Sequence, residues 1–130
     1  MMETHPKLLS GKRLLVVEND IDFRDILQKG LENDGAKVLV AKGVDEASRI
    51  LEDQAIDFVL SDIQMPMKSG FDLLRWCDST GITASGRPVP FALMTGSVEA
   101  RTEEIVEGIG ACSILKKPFK HKDLVNLVLQ

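Results

Sequence analysis

Asp62 closes an apolar run, Phe58-Val59-Leu60-Ser61, and is followed by a Met65-Pro66 turn and a Ser69-Gly70 pair. A carboxylate placed where a buried strand stops is poised for chemistry. Three further polar side chains stand at comparable stops: Glu18 after the run RLLVV, Thr95 after PFALM, and Lys117 close behind Ser113-Ile114-Leu115. Clustered carboxylates repel one another, so each must take up a proton or recruit a cation, and a small oxygen-lined site with few protein ligands and room for water suits Mg²⁺. Carboxylate nucleophile, divalent cation, hydroxyl and lysine together are equipped for phosphoryl transfer, in which positioning and charge neutralisation do most of the catalysis.

Such a site needs strands that end side by side. Short β-rich apolar runs alternate with segments of helical period, a pattern that predicts a parallel sheet covered by helices on both faces. Residues 13–17 read as the first strand and 21–33 as a helix, with Phe23, Ile26, Leu27 and Leu31 on one stripe and Asp34-Gly35 as its stop. Residues 37–41 are a weaker second strand, and 45–54 a helix turning Ala47, Ile50 and Leu51 inward. The third strand is 58–61, and a helix opening near Gly70 carries Leu73, Leu74 and Cys77. The polar stretch STGITASGRP reads as a loop, and PFALM as the fourth strand. Residues 98–109 suit a fourth helix with Val98, Ile105 and Ile109 inward, 113–115 a fifth strand and 121–129 a last helix. Ligands of open parallel sheets bind beyond the carboxyl ends of the strands, which gathers Glu18, Asn19, Asp20, Asp62, Thr95 and Lys117 in one crevice. With neighbouring strands about 4.8 Å apart, adjacency of the first and third would set Asp62 beside Glu18 and Asn19.

At 130 residues the chain suffices for one core and hardly for two, so one domain is expected over 12–130, preceded by a flexible extension, 1–11. A net charge of −4 gives no electrostatic reason for direct nucleic-acid binding. No apolar stretch approaches the roughly 20 residues of a membrane span, and the apolar segment of a signal peptide is lacking, which points to the cytoplasm. Cys77 and Cys112 lack metal-ligand spacing and sit among apolar residues; a disulfide is not expected.

From about residue 12 to the C-terminus the sequence resembles the response-regulator receiver domain of two-component signalling. VVEND is similar to that family's acidic pocket, SDIQMPMKSG to its phosphoacceptor loop, MTG to its switch hydroxyl and KKPF to its lysine-proline motif, all in order. The resemblance implies a flavodoxin-like, three-layer, doubly wound sheet of five parallel strands ordered 2-1-3-4-5 with five helices. It implies that Asp62 accepts a phosphoryl group from a histidine kinase or phosphotransfer protein. Mg²⁺ would be held by Asp62, Glu18, Asn19 and the backbone carbonyl of Gln64, with Asp20 in second rank. Thr95 and Lys117 would bind the phosphoryl oxygens, and the Lys117-Pro118 peptide would be cis. The readout surface would be the fourth helix, fifth strand and fifth helix, where Glu103, Glu104 and Glu107 on one helix and Lys120 and Lys122 near the other give both signs of charge, compatible with pairing of two copies and equally with a solvated charged face.

Two positions depart from the family's commonest pattern. Asn19 stands where most receivers carry a metal-binding aspartate, which predicts weaker Mg²⁺ binding. Ile114 occupies the place of an aromatic residue that in many receivers turns inward as the threonine moves. These departures motivate an alternative, a degenerate receiver that serves as a phosphorylation-independent interaction module. An aspartyl-phosphate phosphatase of the haloacid-dehalogenase type is a third class. It places a second aspartate as general acid where this chain has Gln64, so the domain is expected to assist only its own phosphorylation and dephosphorylation. A flavodoxin-like cofactor protein is disfavoured because END, not a Gly- or Ser/Thr-rich phosphate loop, follows the first strand. Blander roles compete at single positions: Asp20 as a helix cap, Thr95 as an ordinary strand residue, Lys117 as a surface charge, His5 and His121 as surface residues, and Phe71 and Trp76 as packing. Gln64 and Ser97, each two residues past a site residue, flank the path of the attacking water in the family.

Overall fold

Successive side chains of a strand point to opposite faces, so strands that are apolar throughout need a helical layer above and another below. The computed structural model, which describes residues 7–96, 100–109 and 111–130, has both layers. In chain order the elements are β1 (Arg13–Val17), α1 (Ile21–Asn33), β2 (Lys37–Ala41), α2 (Val44–Asp53), β3 (Phe58–Asp62), α3 (Gly70–Thr80), β4 (Thr83–Ala84), β5 (Arg87–Pro88), β6 (Phe91–Thr95), α4 (Ala100–Ile109), β7 (Cys112–Lys116) and α5 (His121–Leu129). The main sheet is parallel and ordered β2-β1-β3-β6-β7, which is the expected 2-1-3-4-5 once the short β4–β5 pair is set aside.

Alternation along the strands divides the core in two. Leu14, Val16, Phe58, Leu60, Ala92 and Met94 face one way and pack with Leu27 and Leu31 of α1 and Leu124, Val125 and Val128 of α5. Leu15, Val17, Val59, Phe91 and Leu93 face the other way, against Val44, Ala47 and Leu51 of α2 and Leu73, Leu74 and Cys77 of α3. Ile105 and Ile109 of α4 pack half-buried on this second cluster, whereas Val98 and Ser97 lie outside the described residues. Phe71 and Trp76 also pack there, as expected. Ile26, expected inward, is 66% exposed, because a 13-residue helix against a flat sheet buries only a narrow stripe, here Leu27 and Leu31.

Boundaries shift where local signals were weak. The third strand runs one residue further, so Asp62 is its last residue, and β7 extends to Cys112 and Lys116. The segment read as a loop contains a hairpin: Ser85 and Gly86 both have positive φ, at 54° and 76°, the geometry that lets a two-residue turn match the twist of its strands. The segment expected to be loose is anchored from Lys7 onward. Leu9 is fully buried in the α1–α5 core, and its N–H donates to the Asp34 carbonyl at 2.9 Å. Among the described residues, no helix is long and apolar enough to cross a membrane.

Candidate phosphoacceptor site

Parallel pairing of β1 with β3 sets Val17 opposite Ser61, so the next residues, Glu18 just past β1 and Asp62 at the end of β3, lie side by side. Pairing of β3 with β6 and of β6 with β7 carries the same edge across to Thr95 and Lys116. The Lys117 N–H donates to the Thr95 carbonyl at 2.7 Å, and the Lys117-Pro118 peptide is cis, as the resemblance implies. Lys117 then turns back over the strand ends. Its ammonium stands 3.3 Å from Asp62 Oδ2 and 3.6 Å from Glu18 Oε1. Together with Asp20, these three side chains line a cavity of about 650 Å³ walled on its apolar side by Phe23 and Phe119.

Burial decides the electrostatics. Glu18 is 2% exposed, and this desolvation, then the charge of Asp62 and a hydrogen bond to it, push its carboxyl up to about 7 despite the neighbouring Lys117. Near neutral pH in the absence of metal, Glu18 therefore holds a proton for part of the time. One lysine does not neutralise two carboxylates, and a hard divalent cation would replace that proton and offset the remaining charge.

The three consecutive candidates after β1 part company. Glu18 points into the site. Asp20 caps α1, its Oδ1 accepting from the N–H groups of Asp22 and Phe23 at 3.0 and 3.2 Å, and the residue also edges the cavity. Asn19 is exposed and lines the adjacent groove with Lys42, Val44 and Met67, while its backbone N–H donates to Glu18 Oε2 at 3.1 Å. Accordingly, no group of three or more Asp, Glu, His or Cys side chains gathers in metal-holding geometry among the described residues. The donor set is two carboxylates with room for water, which fits Mg²⁺ better than a cation that demands an all-protein cage. Gln64 is exposed two residues beyond Asp62, and Thr95 is buried at the end of β6.

Two contributors had escaped the reading of the residues. Gly70 N–H donates to the Ile63 carbonyl at 2.8 Å, and a Cβ on Gly70 would come 2.3 Å from the Asp62 carbonyl oxygen. Only glycine lets α3 start so close behind the acceptor strand; the Ser69-Gly70 pair was the available signal. Arg24, one turn into α1, donates from Nη1 to the Glu18 carbonyl at 3.2 Å and fixes the strand end from below. The thiols are bystanders: Cys77 and Cys112 are free, and burial pushes both up to about 12.

The profile of the response regulator receiver domain matches residues 14–129, and the chain belongs to that family. It is a receiver domain of the two-component response regulators. The chain is 34% identical over 130 residues to the two-component response regulator ARR14 of Arabidopsis thaliana, spanning 97% of this chain and 32% of that protein. It is 32% identical over 122 residues to the 14.6 kDa protein in the sodA1 3' region of Leptolyngbya boryana, spanning 94% of this chain and 91% of that one. Among solved structures, the signal receiver domain of a signal transduction histidine kinase from Syntrophus aciditrophicus superposes with a TM-score of 0.77 at 27% identity, covering 92% of this chain and 90% of that one. CheY4 of Vibrio cholerae, at 23% identity and a TM-score of 0.80 over 88% of this chain and 93% of that one, shares the fold.

Proposed function

We propose that Asp62 is the phosphoacceptor of a signalling switch, charged by the phosphohistidine of a histidine kinase or phosphotransfer protein. The observation that carries this reading is the Lys117 ammonium poised 3.3 Å from Asp62 and 3.6 Å from Glu18 at the joint edge of β1, β3 and β6. An Asp62 carboxylate oxygen attacks phosphorus and an O–P bond forms. The P–N bond to the donor imidazole breaks, and its electron pair leaves on that nitrogen. Lys117 follows the negative charge from the carboxylate to the phosphoryl oxygens, and the Thr95 hydroxyl donates to one of them. Attack of water on phosphorus later restores Asp62 and releases inorganic phosphate.

Glu18, Asp62 and the Gln64 carbonyl, with Asp20 at the rim and Asn19 reaching over from the adjacent groove, are the groups that would hold Mg²⁺, which when bound would neutralise charge building on the phosphoryl oxygens. Phosphorylation adds about −1.5 to −2 charges, so it favours the conformation that brings Lys117 and Thr95 closest.

Intact mass after incubation with acetyl phosphate tests the reading directly. One phosphoryl adduct is expected, dependent on Mg²⁺ and absent from Asp62→Asn. No adduct from acetyl phosphate or from candidate kinases would overturn it in favour of the phosphorylation-independent module.

A further inference from the structure

Lys117 has a third neighbour besides the two carboxylates. Its ammonium lies 4.8 Å from the centroid of the Phe23 ring, and that ring is braced by Phe119 at 6.2 Å between centroids and a tilt of 57°. The Asp20 cap accepts from the Phe23 N–H, so the ring's backbone is tied to the same loop that delivers Glu18. We infer that Phe23 is a positioning residue for Lys117, whose aromatic face holds the ammonium over the acceptor through a cation–π contact. This inference rests on the phosphoacceptor reading of Asp62.

The physical case is one of place. Glu18 and Asp62 both attract the ammonium, but a charge–charge attraction depends on distance alone and changes as charge moves off the Asp62 oxygen. The Phe23 face attracts a cation only where it lies over the ring, and its charge distribution is the same before and after transfer, so it fixes the ammonium over the cavity while the charge it serves moves from the Asp62 oxygen to a phosphoryl oxygen. Lys117 is itself only 29% exposed, a setting in which cation–π contacts are worth more than at an open surface. The competing role for Phe23 is simple packing, since the ring also leans on the α1–α5 core. Leucine would preserve most of that packing and remove the π face, whereas tyrosine would preserve both.

The variants Phe23→Leu and Phe23→Tyr test this against the native chain, with a thermal melt of each to verify folding. Proton–carbon NMR of the Lys117 ε-methylene, assigned by its loss in Lys117→Met, should show an upfield ring-current shift in the native and tyrosine proteins that vanishes in leucine. Under saturating phosphoramidate and Mg²⁺, the leucine variant should phosphorylate about five- to thirtyfold more slowly, and tyrosine within about twofold of native, the range expected of a partly desolvated cation–π contact. In a Lys117→Met background, Phe23→Leu should change the rate no further. An unshifted ε-methylene in the native protein, or the same loss with and without Lys117, would overturn the inference and leave Phe23 as packing. If the native chain takes up no phosphoryl group, the phosphoacceptor reading fails, while the ring-current shift still decides whether Phe23 holds Lys117.

Discussion

Glu18 is the residue whose chemistry its burial changes most. Its carboxyl is raised from 4.5 to about 7, so between those values the folded protein holds a proton that the unfolded chain has released. Stability from this group is therefore fully present below about pH 4.5 and is lost as pH rises through about 7. At about 1.4 kcal/mol per pH unit between 4.5 and about 7, the ceiling is roughly 3 to 4 kcal/mol. Urea unfolding in EDTA should show the metal-free protein weakening between pH 5 and pH 8, with the slope flattened in Glu18→Gln and reduced by Mg²⁺. An equally steep slope in Glu18→Gln would assign the effect elsewhere. Legibility at this scale was uneven: VVEND announced an acidic pocket and Asp20 read as second rank and a candidate helix cap, but only the chain's turn after β1 sent Glu18 inward, Asn19 to the neighbouring groove and Asp20 to the helix cap.

At the scale of elements, the approach of α3 to β3 is the tightest constraint on the acceptor. Ser69 and Asp72 form a reciprocal cap at the start of α3, Asp72 Oδ2 accepting from the Ser69 N–H at 2.7 Å, which seats Gly70 against the end of the strand. A methyl group there collides with the backbone carbonyl of Asp62 rather than with a side chain that could swing away. Gly70→Ala should cost about 3 kcal/mol, of the order of other overpacking changes, and should slow Asp62 phosphorylation by displacing the strand end. Chemical denaturation together with the intact-mass assay measures both; a native-like midpoint would show that α3 retreats at little cost. Strand and helix periods were readable for nearly every element. The β4–β5 hairpin was missed because two-residue strands carry too little alternation to register, although Ser85-Gly86 is a turn signal in its own right.

For the whole molecule, we propose that the face of α4, β7 and α5 reads a change at Thr95 and Lys117, since Thr95 ends β6 and Lys117 directly follows β7. Glu103, Glu104 and Glu107 are exposed on α4, and Lys120 and Lys122 at the start of α5, so two copies could meet with opposite charges facing. Sedimentation velocity with and without a phosphoryl mimic should show a dimer favoured by the modified state and weakened by added salt. An unchanged monomer would rule out dimerisation driven by the switch. Leu9 belongs to this scale as well: it reads as part of a loose leader, yet it is buried in the same cluster as Leu31 of α1 and Val128 of α5.

Residue types and their order were enough to determine the α/β class, the strands whose ends deliver Asp62, Thr95 and Lys117, and the family, because alternation, helical period and each of the four motifs are carried within a few residues. The raised carboxyl of Glu18, the placement of Phe23 beneath Lys117, the need for glycine at position 70 and the burial of Leu9 were decided only by the tertiary structure. Each depends on contact between segments far apart in the chain, and the sheet register and helix docking that create such contacts are settled by packing of the whole core, for which no local stretch carries the signal.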